Sequence, residues 1–157
     1  MNNRLTIGDE GVLTNYSRSL EIDFLKAVAT ENTGTPVVIG SAYLDASKWP
    51  KGTRTVKFRC VLQSTSLNAL YAAVADLFDV SDALAAGAPA PVVGSQVTNS
   101  AAPSQQVEAK IDANISAIFP SASVVKGVFD ARLWIATNPG PAPEFVTCTS
   151  AQIVIEW

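Results

Sequence analysis

"RTVKFRCVLQS", residues 54–64, sets the fold class. Val56, Phe58, Cys60 and Leu62 take alternate positions, and Lys57, Arg59 and Val61 fill the places between them. Successive side chains of an extended chain point to opposite faces, so this period of two predicts a strand with an apolar inner face and a wet outer one. The same alternation recurs on both sides. Leu20, Ile22 and Phe24 alternate with Glu21 and Asp23 in "SLEIDFLKAV" (19–28). Phe129, Ala131, Leu133 and Ile135 share one face of "VVKGVFDARLWIA" (124–136). Ala151, Ile153 and Ile155 alternate with Gln152, Val154 and Glu156 in "FVTCTSAQIVIEW" (145–157). "VVIGSAYL" (37–44) and "SQQVEAKIDA" (104–113) read as further strands, and "PVVGSQVT" (91–98) as a short one. The segments "ENTGTP" (31–36), "DASKWPKGT" (45–53) and "NPGPAPE" (138–144) carry the Gly and Pro that turns require. Strands recurring between such turns predict an all-β, antiparallel sandwich.

One segment reads two ways. In "SLNALYAAVADLFDVSDAL" (66–84), Leu67, Leu70, Tyr71, Val74, Leu77 and Phe78 fall at helical spacing, and Ser66 is placed to cap a helix. Alanine adds to the helical preference. Periodicity alone therefore favours a helix here.

Composition narrows the functions open to the chain. Its 157 residues suit one domain, and with 48% apolar and 16% charged residues it can bury a sizeable core. A net charge of −3 argues against a free-standing nucleic-acid binder. There is no histidine, which removes histidine-based nucleophilic triads and the commonest metal ligand. Cys60 and Cys148 are too few for a zinc cluster; they form either one bridge or two buried thiols, and their apolar strand context favours thiols. The amino-terminal "MNNRLTIGDEGV" has no apolar h-region, so no signal peptide is expected, and no run is long and apolar enough for a membrane span.

No catalytic, cofactor-binding or metal-binding residues emerge. Asp76, Asp79 and Asp82 lack metal-motif spacing and read as the polar residues of a surface turn. No glycine-rich phosphate loop and no nucleophile elbow is present. No acid partner is evident for the lysines along the sequence. The protein is therefore expected not to be an enzyme.

The aromatic and basic residues are the interface candidates. Trp134 falls opposite Phe129, Ala131, Leu133 and Ile135, so it points outward, either to an interface or under a covering segment. Trp49, beside Pro50, either caps one end of the sandwich or stacks on a sugar. Trp157 is expected to fold over an edge. Lys57 and Arg59 are first the wet face of a sheet, and that face can also meet an acidic partner. A sugar-binding module would group Trp49, Tyr43 and Trp134.

Six stretches in order then carry a resemblance: "TPVVIGSAYLDASKWP", "TVKFRCVLQS", "ADLFDVSDA", "PVVGSQVTNSAAPSQQVEAKI", "VFDARLWIATN" and "CTSAQIVIE". Together, over residues 35–157, the chain resembles a jelly-roll sandwich module of tailed-bacteriophage structural proteins, those of capsid decoration and tails. The resemblance implies that residues 73–80 form a strand, after at most a short helix. It also implies an antiparallel jelly-roll-like β-sandwich without a catalytic centre or cofactor. Such a module would belong to a virion and self-associate as a trimer or other ring. Its further partners would be virion proteins such as a major capsid protein, with neither nucleic acid nor membrane. The expected organisation is an extended N-terminal arm over residues 1–19 and a sandwich over 20–157. The expected role is capsid decoration or reinforcement; the alternative is carbohydrate binding or tail-fibre adhesion on the same fold.

Overall fold

The structure is a computed structural model describing residues 18–52, 55–84, 87–100, 106–119, 125–137 and 144–157. Among these residues ten strands form, most of them where the alternation predicts; it does not predict Ala29–Glu31 or Ala73–Asp79. They are β1 (Ser19–Asp23), β2 (Ala29–Glu31), β3 (Val37–Asp45), β4 (Thr55–Ser64) and β5 (Ala73–Asp79). They continue with β6 (Ala90–Pro91), β7 (Val97–Asn99), β8 (Ala109–Asn114), β9 (Lys126–Ile135) and β10 (Val146–Glu156). Among the described residues there is no α-helix, only 3₁₀ turns at Ala46–Lys48 and Ala69–Tyr71.

The strands divide between two sheets. One runs β1-β10-β4-β8, with β2 also on β10; the other runs β3-β9-β5-β6, with β7 also on β5. All pairings are antiparallel, and one set of them is nested. β1 pairs with β10, β3 with β9, β4 with β8, and β5 with β6 and β7. A long hairpin folded in half and rolled across two layers gives this order, which is the jelly roll. The sandwich expectation therefore holds. Of the N-terminal arm, residues 1–17 lie outside the described residues; Arg18 and Trp157 exchange backbone hydrogen bonds of 3.2 and 3.0 Å, and Ser19 opens β1.

The alternating apolar residues meet between the layers. Val56, Phe58, Cys60 and Leu62 of β4 are buried, as are Phe129, Ala131, Leu133 and Ile135 of β9 and Ala151, Ile153 and Ile155 of β10. Phe119 links the rings at one end, with centroids 5.6 Å from both Trp49 and Phe129. Phe24 meets Phe58 edge-on at 6.2 Å. Where the chain passes Phe24 it crosses so close to β3 that a Cβ on Gly40 would lie 2.0 Å from the Phe24 carbonyl oxygen. Cys60 and Cys148 are free and buried, as two thiols, with the Cys148 Sγ donating to the Ser150 carbonyl at 3.1 Å.

The ambiguous segment resolves into a turn and a strand. Asn68, not Ser66, caps the 3₁₀ turn, its side-chain oxygen accepting the Leu70 N–H at 3.0 Å. β5 follows with Ala73 to Leu77 all buried. Its inner positions Ala73, Ala75 and Leu77 join the core, while the outer Val74 and Asp76 lie opposite Trp134 and Arg132 of β9. Burial on both faces removes the polar alternation that marks a strand.

Beside β5 the neighbouring strand is broken. β6 covers Phe78 and Asp79, β7 covers Ala73 to Ala75, and after the Val92 N–H has bonded to the Leu77 carbonyl at 2.7 Å, residues 93–96 leave the ladder between them. The Ser95 hydroxyl fills part of that gap, accepting the Leu77 N–H at 3.2 Å and bonding to the Asp76 carboxylate.

Candidate interaction surfaces

The outer face of the β1-β10-β4-β8 sheet is a lattice of ion pairs. Register places Glu21, Val154, Lys57 and Asn114 in one row, and Asp23, Gln152, Arg59 and Asp112 in the next. Lys57 Nζ donates to both Glu156 oxygens, at 2.9 and 3.0 Å. Arg59 donates to Asp112 through Nε at 2.7 Å and Nη2 at 2.9 Å, and its Nη1 lies 3.6 Å from Glu21. Hydrogen bonding from Arg59 holds the Asp112 carboxyl below its ordinary range and raises the Arg59 guanidinium. The Thr55 hydroxyl, then Lys57, lowers Glu156. The acid partners that the sequence did not show are therefore supplied across the sheet. Val154, outward by pattern, is buried among these rows rather than open to a partner.

The outer face of the β3-β9-β5 sheet differs. Tyr43 and Val128 are register partners and are both exposed, at 60% and 39%. The next rows are Ser41, Asp130 and Phe78, then Val38, Arg132 and Asp76, then Trp134 and Val74. The Ser41 hydroxyl donates to Asp130 at 2.6 Å, and the Arg132 guanidinium stacks 4.2 Å above the Phe78 ring. Arg132 Nη2 reaches Asp130 at 3.4 Å, while its buried Nε has no hydrogen-bond partner among the described residues. Burial pushes the Asp76 carboxyl above its ordinary value, against the hydrogen bonds from Ser95 and the Leu77 N–H.

The interface candidates thus fall in different places. Trp134 points outward, half-buried beside Val74. Trp157, just past the end of β10 and so between β1 and β4 in the sheet, is partly buried and packed against the core. Trp49 is only 9% exposed and serves as core, stacked on Phe119. Tyr43 and Trp134 share a face but stand six β9 residues apart by register, about 20 Å at strand rise. The three aromatics that a sugar site would need are therefore not grouped. The aspartates are also redistributed. Asp76 is a buried strand residue, and Asp79 is buried, its oxygens accepting the Ser81 N–H at 3.1 Å and the Leu84 N–H at 2.7 Å. Only Asp82 is an exposed turn residue, with φ 56° and an oxygen accepting the Ala88 N–H at 2.6 Å. Among the described residues no group of three or more His, Cys, Asp or Glu is arranged to hold a metal ion.

Sequence reasoning missed two apolar features, at opposite ends of the sandwich. A cleft of about 330 Å³ opens where β5 ends, lined by Leu84, Pro91, Val92, Val93, Ala117 and Ile118. At the far end Leu67, Leu70, Val107 and Phe145 stand exposed on loops. Hydrogen bonds tie these loops together. Thr65 exchanges bonds with Phe145, Gln106 Nε2 donates to the Thr65 carbonyl, and the Ser64 hydroxyl donates to that of Tyr71. Only folding gathers these loops, since they are separated by up to 80 positions.

Comparison with known proteins bears on the fold. No protein-family model matches the chain, and no curated protein matches it. Solved structures do. The VP2 subviral particle of infectious bursal disease virus aligns over 92% of this chain with a TM-score of 0.51 at 11% identity. The Gt strain of the same virus aligns over 92% with a TM-score of 0.52 at 9% identity. The shared feature is the fold. This chain spans about a third of those proteins, 33% and 34% of their length.

Proposed function

We propose that this chain is a non-enzymatic virion structural protein acting through protein–protein contacts. The observation that carries the reading is the nested jelly roll, similar over 92% of the chain to a virus particle's VP2. The finer reading, decoration or reinforcement of a tailed-phage capsid, rests on the sequence resemblance of residues 35–157. In that reading the partners are further copies of the chain in a ring, such as a trimer, and a major capsid protein, and the location is the virion. In that reading the arm expected over residues 1–19 adds a strand to a neighbour with the part that precedes Arg18, since Arg18 and Ser19 are paired within the sheet. Trp134 and Trp157 contribute contact surface. No described helix is long and apolar enough to cross a membrane.

The test mixes the purified chain with particles from its own source and images them by negative stain, with light scattering on the free protein. Regular added density on the shells and an oligomer in solution are expected. A strict monomer that ignores assembled shells overturns the reading.

A further inference from the structure

The two apolar ends of the sandwich differ in shape and in charge. Strand direction places them apart: the cleft lies beside the end of β5 and past the end of β8, while the exposed loops precede β5, β8 and β10. Leu67 and Leu70 are 59% and 60% exposed, and Val107 is 65% exposed. Grouped exposure of this kind marks a contact site more often than bare surface. The loops are fixed by the hydrogen bonds through Thr65, so little ordering is needed on docking.

The cleft suits an aliphatic guest. Its volume is at the small end of the range for small-molecule pockets, about 300–1,000 Å³. Its acidic residue, Asp79, already accepts two backbone N–H groups, so a donor or cation has little to gain there.

Charge selects the orientation. Around the exposed loops stand Glu31, Glu108 and Glu144, against Lys110 at the second position of β8. Around the cleft end stand Arg18, Lys48, Lys51 and Lys126 against Asp45, Asp79, Asp82 and Glu156, of which Asp79 is buried, Asp45 faces Lys48 at 3.6 Å and Glu156 is paired with Lys57. Two loop ends face to face would oppose six carboxylates with two lysines among them. A loop end against a cleft end sets carboxylates near lysines.

We propose that the Leu67, Leu70 and Phe145 loops of one copy dock into the Leu84–Val92–Ile118 cleft of the next. The contact is head-to-tail, so it uses two different patches and closes into a ring or extends as a filament according to the rotation per step. The proposal deepens the function given above and rests on it for the partner being a second copy.

Sedimentation of two surface variants and their mixture tests it. Leu70→Asp spoils the loops and Ala117→Arg obstructs the cleft; both positions are exposed, and circular dichroism checks the fold. Each variant alone is expected to self-associate at least tenfold more weakly than wild type. Mixed in equal amounts, they form a 1:1 dimer that grows no further, because one retains its cleft and the other its loops. Should Leu70→Asp fail to fold, Phe145→Ser takes its place. A mixture that stays monomeric, or either variant assembling like wild type, overturns the contact while leaving the virion role standing. If only the loop variant loses assembly, the loops meet another surface and the contact is likewise overturned. A wild type that is monomeric at every concentration overturns it too, and the shell-binding measurement then decides the function separately.

Discussion

Arg59 is held between two carboxylates, with two bonds to Asp112 and a looser approach to Glu21. The paired geometry matches the guanidinium fork, which favours this pair over single-bond surface contacts. Because it is partly open to water, a double-mutant cycle of Arg59→Ala and Asp112→Ala is expected to give a coupling of about 0.5–1 kcal/mol. Acid shows the same pair. Asp112 is lowered from 3.8 and Glu156 from 4.5 in the folded chain, so the unfolded chain binds more protons in that range. Their stabilisation is present above those ordinary values and is lost as pH falls through the lower folded ones. Asp76 is raised, so its contribution has the opposite sign, present below 3.8 and lost as pH rises through the folded value. Urea unfolding between pH 2 and 7 should show Asp112→Asn flattening the acid limb and Asp76→Asn steepening it. The thiols are a separate residue-scale case. Burial raises Cys60 well above 9.0, so at neutral pH it holds its proton. A thiol-titrating reagent is expected to find neither cysteine in the native chain and both after unfolding. Burial of Cys60 was legible in its strand pattern. The Arg59 pairing was not, because Asp112 lies 53 positions away and only register brings it alongside.

β5 and its broken neighbour show what one hydroxyl does within an element. Turning the chain out at residues 93–96 would leave the Leu77 N–H reliant on the adjacent Asp76 side chain, at 2.8 Å. Ser95, fully buried, supplies a second acceptor and also bonds to Asp76 and to the Val92 carbonyl at 2.8 Å. Ser95→Ala removes that group from a site water does not reach, so a loss of about 1–3 kcal/mol is expected in urea unfolding. No measurable loss would mean that Asp76 alone satisfies the strand. The break also shortens the sheet's edge, which limits edge-to-edge pairing with other chains. These elements were only partly legible. β4 and β9 announced themselves because one side of each pattern carries polar residues. β5 did not, because Val74 and Asp76 are buried as well as Ala73, Ala75 and Leu77. With both faces covered, helix and strand patterns converge, and only the resemblance pointed to a strand.

At the scale of the whole molecule the two outer faces are not equivalent, and this changes what the basic residues do. The order of strands was legible, but their nested partners were not, since β1 and β10 meet across almost the whole described chain. Without partners, Lys57 and Arg59 read as free charge that an acidic surface can meet. In the sheet they neutralise Glu156, Asp112 and Glu21, and the exposed apolar side chains Tyr43 and Val128 lie on the opposite layer. Reversing both charges is therefore expected to act on the fold before it acts on any contact. Lys57→Glu with Arg59→Glu removes two attractive pairs and places like charges side by side across β4, β8 and β10. Attraction lost and repulsion gained sum to roughly 2 kcal/mol for partly exposed groups. In a chain of this size that lowers the melting temperature by roughly 4–8 °C. The drop should shrink in high salt, because the repulsion is screened while the lost hydrogen bonds are not. Thermal unfolding at low and high salt, with sedimentation of the same variant, separates the two roles. If the melting temperature is unchanged and only assembly falls, this face is a docking surface and its internal pairs contribute nothing. If stability falls as stated and assembly recovers when the chain is kept folded by cooling, the ion lattice stabilises the sandwich, and contacts form elsewhere.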